Sequence, residues 1–441
     1  MFFHGNGTSR VNEKGHLEIG GVDTVELAKT YGTPLYIYDV ALIRARARAF
    51  KEAFRRHGVR AQVAYASKAF SSVAMVQLAA EEQLSLDVVS GGELYTALAA
   101  GFPPERIHFH GNNKSRDELA MALEHGIGCI VADNFYELEL IEQLAGSSGR
   151  AVPVLLRVTP GVEAHTHDYI LTGQEDSKFG FDLNNGQADE AFRRVMASAA
   201  FQLLGVHCHI GSQIFETTGF VLAARKMFAK LAEWHKTCGF VPAVVNLGGG
   251  FGIRYTDEDD PIPVSAYVDC IVDEVKTQAE VHQLPLPEIW IEPGRSLVGD
   301  AGTTIYTIGS RKEVPNVRTY IAVDGGMSDN IRPALYGAKY EAVLANRVLG
   351  DRMEVVSIAG KCCESGDMLI WDIALPEAKP GDYLAVFCTG AYGYSMANNY
   401  NRLPRPAVVF VENGDAQLVV KRETYEDLIQ YDLPLKAKVN Q

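Results

Sequence analysis

Reactive side chains in this sequence recur just after short apolar runs. Lys68 follows VAYA (63–66), Asp87 lies in LDVV (86–89) ahead of Ser90-Gly91-Gly92-Glu93, and Arg157 lies in VLLRV (154–158). His209 and Ser212 close the run LLGVHCHI (203–210), Gly248, Gly249 and Gly250 follow AVVNL (243–247), and Glu292, Gly294 and Arg295 follow IWI (289–291). An amine emerging from an apolar strand can be desolvated, which lowers its pKa and frees the lone pair to form a Schiff base. A lone lysine at such a place is more often a solvated loop residue. Consecutive glycines let backbone N–H groups close on a phosphate, a weak signal when it stands alone. A buried Glu292 needs a cationic or proton-donating mate, which could be a ring nitrogen or simply Arg295 three residues on.

Taken together, an amine, a phosphate cradle, a flat ring able to stack (His209) and a carboxylate for a ring nitrogen describe a pyridoxal phosphate site. Three His-x-His pairs, His108/His110, His165/His167 and His207/His209, could instead supply metal ligands, because residues two apart on a strand share a face. The arrangement does not favour a metal, since the first run ends in a lysine where a barrel hydrolase would carry its His-x-His. No metal is therefore expected, and His108 and His207 are read as strand residues facing away from the site or lying deeper than it.

The elements that must position these groups alternate. ALIRARARAFKEAF (41–54) has helical periodicity, and eight β-rich runs then follow, the remaining two being IHFH (107–110) and CIVA (129–132), each trailed by a helical pattern. Eight β-α units in about 250 residues predict a (β/α)8 TIM barrel over 36–296, whose chemistry sits at the C-terminal ends of the strands. A doubly wound sheet would need fewer strands. The polar stretch 161–185 is too long for a plain connector and reads as a lid. Beyond residue 297 come short alternating strands without intervening helices: TTIYTIGS, RTYIAVDGG, EVVSIAG, DMLIWDI, DYLAVFCT, AVVFVEN and AQLVVKRE. They predict a separate all-β domain of 297–441, discontinuous because the strand-like HLEIGGV (16–22) would join it from 1–35.

Composition narrows the function class. The 441 residues are 47% hydrophobic and 22% charged, with a net charge of −14 and no basic tract, which argues against nucleic acid or an anionic membrane as partner. The first residues lack a basic start and apolar stretch, and no run approaches the roughly 20 apolar residues of a bilayer span. A cytoplasmic location is expected. Seven cysteines with no C-x-x-C pair suit a reduced compartment, most of them as core residues; Cys362-Cys363, in the polar segment GKCCESGD, is the pair where a thiol could be exposed.

The segments YASKAF, HCHIGSQ, NLGGGFG, IEPGRS, VDGGMSDNIRPALY, GKCCESGD and CTGAYGYS, spread from about residue 16 to about 430, resemble the fold-type III pyridoxal phosphate-dependent decarboxylases. Their nearest likeness is to members that convert meso-2,6-diaminopimelate to L-lysine and CO2. The resemblance implies that Lys68 holds the cofactor, that Glu292 keeps its pyridine nitrogen protonated, and that His209 stacks on its ring. It further implies that Ser212, glycines 248–250, Gly294, Arg295 and Tyr392 bind the cofactor, with Asp87 and Glu93 supporting. Arg295, Arg332, Tyr336 and Tyr392 would contact the substrate, the first three gripping its distal carboxylate, and Glu364 would take its distal amine. Cys363 would be the proton donor, reaching with Glu364 into the other subunit's site of a homodimer, and Cys362 an extra thiol with a packing role. A decarboxylase of arginine, ornithine or carboxynorspermidine is the runner-up, disfavoured by Arg332-Pro-Ala-Leu-Tyr336 and by Glu364. An alanine racemase would be expected to carry a tyrosine where Cys363 stands. A non-catalytic regulatory homologue is disfavoured by the retention of both Lys68 and Cys363.

Overall fold

A computed structural model describes residues 5–162, 177–350 and 353–436. It divides the chain into two compact bodies, residues 42–300 and residues 1–41 with 301–441.

In the first body eight parallel strands close on themselves: Ala61–Ala66, Ser85–Val88, Ile107–Phe109, Cys129–Ala132, Val152–Thr159, Phe201–His207, Val244–Asn246 and Glu288–Ile291, the last pairing back to the first through Ile289 and Ala61. Each lies where an apolar run was found, because a strand covered on both faces needs unbroken hydrophobicity. The helices between them start where the sequence offers caps. Ser72, Ser90, Ser115 and Asn134 each accept a backbone N–H of the first turn of the helix they precede, and Ser115 forms a reciprocal capping box with Glu118. The amphipathic pattern at 41–54 is the helix Val40–His57.

The barrel interior changes character with height. Cys129, Val131, Leu155, Val244 and Trp290 form a buried apolar cluster, and His108 stacks flat on Trp290 at 4.2 Å between centroids. Residues two further along a strand share its face. That step leads from Leu155 to Arg157, from Val244 to Asn246, from Trp290 to Glu292 and from His108 to His110, so a buried polar layer lies above the apolar floor. Of the expected lid, 163–176 fall outside the described residues; Phe181–Asp182 adds a short parallel strand beside the fifth barrel strand.

The second body contains all seven of the later strands and corrects the expected boundary. Leu35–Asp39 does not open the barrel. It pairs antiparallel with Gly302–Val314 and parallel with Ala407–Glu412, at the middle of the second sheet, so the bodies part at 41/42 and 300/301. A short strand at Ala342–Leu344, unread in the sequence, pairs with Tyr383–Phe387. The segment 16–22 belongs to this body but not to its large sheet: with Arg10–Val11 it makes a separate three-stranded antiparallel sheet. Among the described residues no helix is long and apolar enough to cross a membrane.

Candidate active site

The polar layer of the barrel centres on Glu292. Its Oε1 accepts from Asn246 Nδ2 at 2.6 Å and its Oε2 meets His207 Nε2 at 3.0 Å. His110 Nε2 lies 3.0 Å from Oε1 in a contact that is poorly aligned for a hydrogen bond. Burial by itself would raise the carboxyl; the N–H groups of His110 and His207 overcome it and hold Glu292 well below the usual carboxylate range. Burial also pulls His110 down to about 3, so its ring is neutral beside the carboxylate. Asp87, whose Oδ1 is 3.6 Å from His110 Nε2, moves the other way: burial and then the charge of Glu292 push it well above the ordinary value. The two carboxyls of this pair are thus driven in opposite directions. Arg295, the bland alternative partner for Glu292, turns elsewhere: it donates to the Tyr255 hydroxyl, and its Nη2 donates to Ser212 Oγ at 2.9 Å.

Three further groups rim this layer. Lys68 sits in the 3-10 turn Ser67–Ala69 directly after the first strand, near enough for its charge to favour ionisation of Asp87 and Glu93 and to repel a proton from His209. Its side chain is exposed, so the expected desolvation is not provided by this chain's own packing. His209 is held well below its usual value by burial first and by Lys68 second, which leaves a neutral flat ring; its Nδ1 accepts from Gly249 N at 3.2 Å. Arg157 is buried over the Phe179 ring at 4.2 Å, with Nε 3.9 Å from Asp133.

The glycine run is packed so tightly that no other residue would fit. A Cβ at Gly248 would stand 2.5 Å from Cys208 O, at Gly249 2.1 Å from Glu292 O, and at Gly250 2.3 Å from Gly211 O; Gly248 and Gly250 also have φ of +70° and +98°. The loop is tied to its neighbour twice through Gln213, which exchanges hydrogen bonds with Ile253 N and O at 3.1 and 2.6 Å. A Cβ at Gly294 would stand 3.0 Å from Ala66 Cβ and 3.3 Å from Ala69 Cβ.

In the second body the remaining site residues fall on three loops. Arg332 begins the short helix Arg332–Tyr336; it is buried and its Nη1 donates to the Tyr340 hydroxyl at 2.6 Å, while Tyr336 is half-buried. Cys363 and Glu364 are exposed, whereas Cys362 is buried and its thiol pushed up to about 11 by burial. Tyr392 is half-buried on a left-handed backbone, φ +59°. The loops are stitched together: Lys361 N donates to Gly325 O at 2.9 Å, and Asn398 N to Ser328 O at 2.8 Å.

Residues 40–299 match the pyridoxal-dependent decarboxylase, pyridoxal binding domain, family. Over its full length the chain is 72% identical to the diaminopimelate decarboxylase of Bacillus subtilis (strain 168), all of which is covered. It is 49% identical over 426 residues to that of Staphylococcus aureus (strain COL), covering 96% of this chain and 99% of the relative. The crystal structure of diaminopimelate decarboxylase from M. jannaschii in co-complex with L-lysine superposes with a TM-score of 0.92 at 37% identity, covering 98% of this chain and 99% of that one. The chain belongs to the diaminopimelate decarboxylase family. Such a decarboxylase is a carboxy-lyase of the pyridoxal phosphate class on a TIM-type barrel with a separate sheet domain.

The residues of this decarboxylase fit the cofactor. A carboxylate has about four hydrogen-bonding positions; Asn246, His207 and His110 face three, which leaves Glu292 one for a ring N–H. The cradle at Gly248–Gly250 has the close backbone approach that a phosphate needs.

Three groups around Glu292 were not assigned to the site from sequence. His207 faces Glu292 rather than standing apart, and His110 and Asn246 join it. The signal for His110 and Asn246 was present, since both stand at the C-terminal ends of barrel strands. The ligating atoms of His110, His207 and Glu292 lie within 4.8 Å of one another, a spacing a cation could also use; here His207 Nε2 meets Glu292 Oε2 in a hydrogen bond while His110 Nε2 stands close by. His165 and His167 lie outside the described residues. Most of the cysteines are buried, as expected: Cys129, Cys208, Cys362 and Cys388 are buried and Cys270 half-buried, while Cys238 and Cys363 are exposed.

Proposed function

We propose that the chain removes the α-carboxylate of meso-2,6-diaminopimelate as CO2 and releases L-lysine, with pyridoxal phosphate held by Lys68. The observation that carries this reading is Glu292, a buried carboxylate kept ionised at the end of the eighth strand with one hydrogen-bonding position left over. When bound, the cofactor supplies an electron sink for the bond to the departing carboxylate.

This chain's own residues do the rest. Lys68 anchors the cofactor at the mouth, Glu292 holds a proton on the ring nitrogen, and neutral His209 covers one ring face. Ser212, Gly248, Gly249, Gly250, Gly294, Arg295 and Tyr392 bind the cofactor, and Asp87, whose carboxyl burial and Glu292 push upward, supports them. Arg295, Arg332 and Tyr336 grip the distal carboxylate and Glu364 the distal amine, so an analogue lacking either group leaves a charged side chain unpaired. As CO2 departs, the electron pair it leaves on carbon takes a proton from the Cys363 thiol, which solvent then reprotonates. We assign Cys363 and Glu364 to the site of a second copy in a homodimer; their exposure on the single chain supports this. The enzyme is assigned to the cytoplasm, where its amino-acid substrate is small and free.

A CO2-release screen over meso-diaminopimelate, its LL isomer, arginine and ornithine tests the substrate. The expected result is release from the meso compound alone. Equal turnover of ornithine or arginine would overturn the assignment.

A further inference from the structure

The segment 360–367 joins the antiparallel strands Met353–Ala359 and Met368–Pro376, and it is fixed at two successive backbone N–H groups by side chains from different parts of the chain. Cys362 N donates to Asp367 Oδ2 at 2.8 Å, and Cys363 N donates to Asn401 Oδ1 at 2.7 Å. The other oxygen of Asp367 accepts Met327 N at 2.6 Å, which ties the same carboxylate to the loop that leads into Arg332. Glycines let the backbone close on it: a Cβ at Gly360 would stand 2.1 Å from Asp367 Oδ2, and one at Gly326 2.4 Å from it. With Cys362 buried and Cys363 exposed, the segment is anchored by one thiol and presents the next.

Asn401 is placed at some conformational cost. Its backbone is left-handed, φ 53° and ψ 23°, inside a short 3-10 turn, a conformation that only Gly, Asn and Asp adopt readily. Arg402, also at positive φ, braces that turn by donating to Leu428 O at 2.6 Å and to Asp432 Oδ2 at 2.7 Å. None of these groups has a part in the chemistry above.

We propose that Asn401 and Asp367 are positioning residues that aim the Cys363 thiol, a clamp of one amide oxygen and one carboxylate on consecutive backbone N–H groups. This rests on Cys363 being the proton donor. The test is Asn401→Gly, which removes the acceptor and keeps the left-handed backbone free of strain, with Asn401→Asp as the variant that restores an acceptor oxygen. In the holoenzyme Asn401→Gly should lower kcat about 10-fold or more while KM stays within about twofold, since misplacement by an ångström is felt in the chemical step. Iodoacetamide labelling of Cys363, read by peptide mass spectrometry, should change in rate by about threefold or more, because thiol reactivity follows its surroundings. Asn401→Asp should bring both readouts back. A lowered Tm with kcat and labelling rate unchanged, or Asn401→Asp as impaired as Asn401→Gly, would overturn the clamp. If Asn401→Gly does not fold, Asp367→Asn, which keeps one acceptor oxygen, must show the same pairing of lower kcat and altered labelling. Cys363→Ala separates the two claims: full kcat in that variant removes the proton-donor reading itself, whereas loss there with no effect of Asn401→Gly removes only the clamp.

Discussion

Glu292→Gln would test the arrangement at the centre of the barrel. Two donors hydrogen-bond the carboxylate, Asn246 Nδ2 at 2.6 Å on one oxygen and His207 Nε2 at 3.0 Å on the other, and His110 Nε2 stands 3.0 Å from the first oxygen. A carboxamide offers a single acceptor oxygen. Its cheaper orientation keeps that oxygen toward Asn246 and turns its NH2 toward His207, donor against donor. His207 could respond by moving its proton to Nδ1, but that atom is buried with no hydrogen-bond partner among the described residues, so an N–H would be stranded there. One charge-assisted hydrogen bond lost and one buried donor left unsatisfied cost about 2–4 kcal/mol. On the proposal that the same oxygens also hold the ring nitrogen of the cofactor, that loss should appear as a fall in kcat/KM of roughly 30- to 1000-fold. Steady-state CO2 release at saturating cofactor measures it, and an absorbance titration gives cofactor affinity separately. A Glu292→Gln enzyme within threefold of the parent in kcat/KM would refute the reasoning.

Other outcomes follow from the same geometry. Gly249→Ala puts a Cβ 2.1 Å from Glu292 O, so it should destabilise by about 3 kcal/mol or more and weaken cofactor binding, whereas Gly146→Ala, with nothing within 4 Å, should stabilise by up to about 1 kcal/mol; urea unfolding compares them. Burial lifts Asp329 from 3.8 to about 7, so the folded state binds this proton more tightly than the unfolded chain, and stability falls as pH rises from about 4 to about 7. Asp329→Asn should flatten that slope by about 4 kcal/mol over the interval, and parallel unfolding profiles for the two proteins would contradict it. Cys363→Ala mixed with Lys68→Ala should regain activity through mixed dimers if sites are shared; proven heterodimers without activity would remove the shared site.

Much of the fold was legible because its strands are covered on both faces: eight apolar runs are the eight barrel strands, and Ser or Asn before several helices marks where they begin. Leu35–Asp39 was not legible as part of the second body. Its place there depends on partners more than 260 residues away, Gly302–Val314 and Ala407–Glu412, which local pattern does not carry. The same limit applies inside the site. Lys68 and Glu292 could be read from their place after apolar runs, but His207 acquires its role only by meeting Glu292, two strands away in the closed barrel and 85 residues on in the chain. Tyr340 is similar: a tyrosine in a polar loop gives no sign that its hydroxyl will meet Arg332.

The central claim is that Lys68, at the mouth of the barrel above Glu292, carries the cofactor. Borohydride reduction of the purified holoenzyme followed by peptide mass mapping tests it most directly. The account predicts a single pyridoxyl adduct on Lys68 and loss of the visible absorbance; an adduct on another lysine, or none in protein saturated with pyridoxal phosphate, would contradict it.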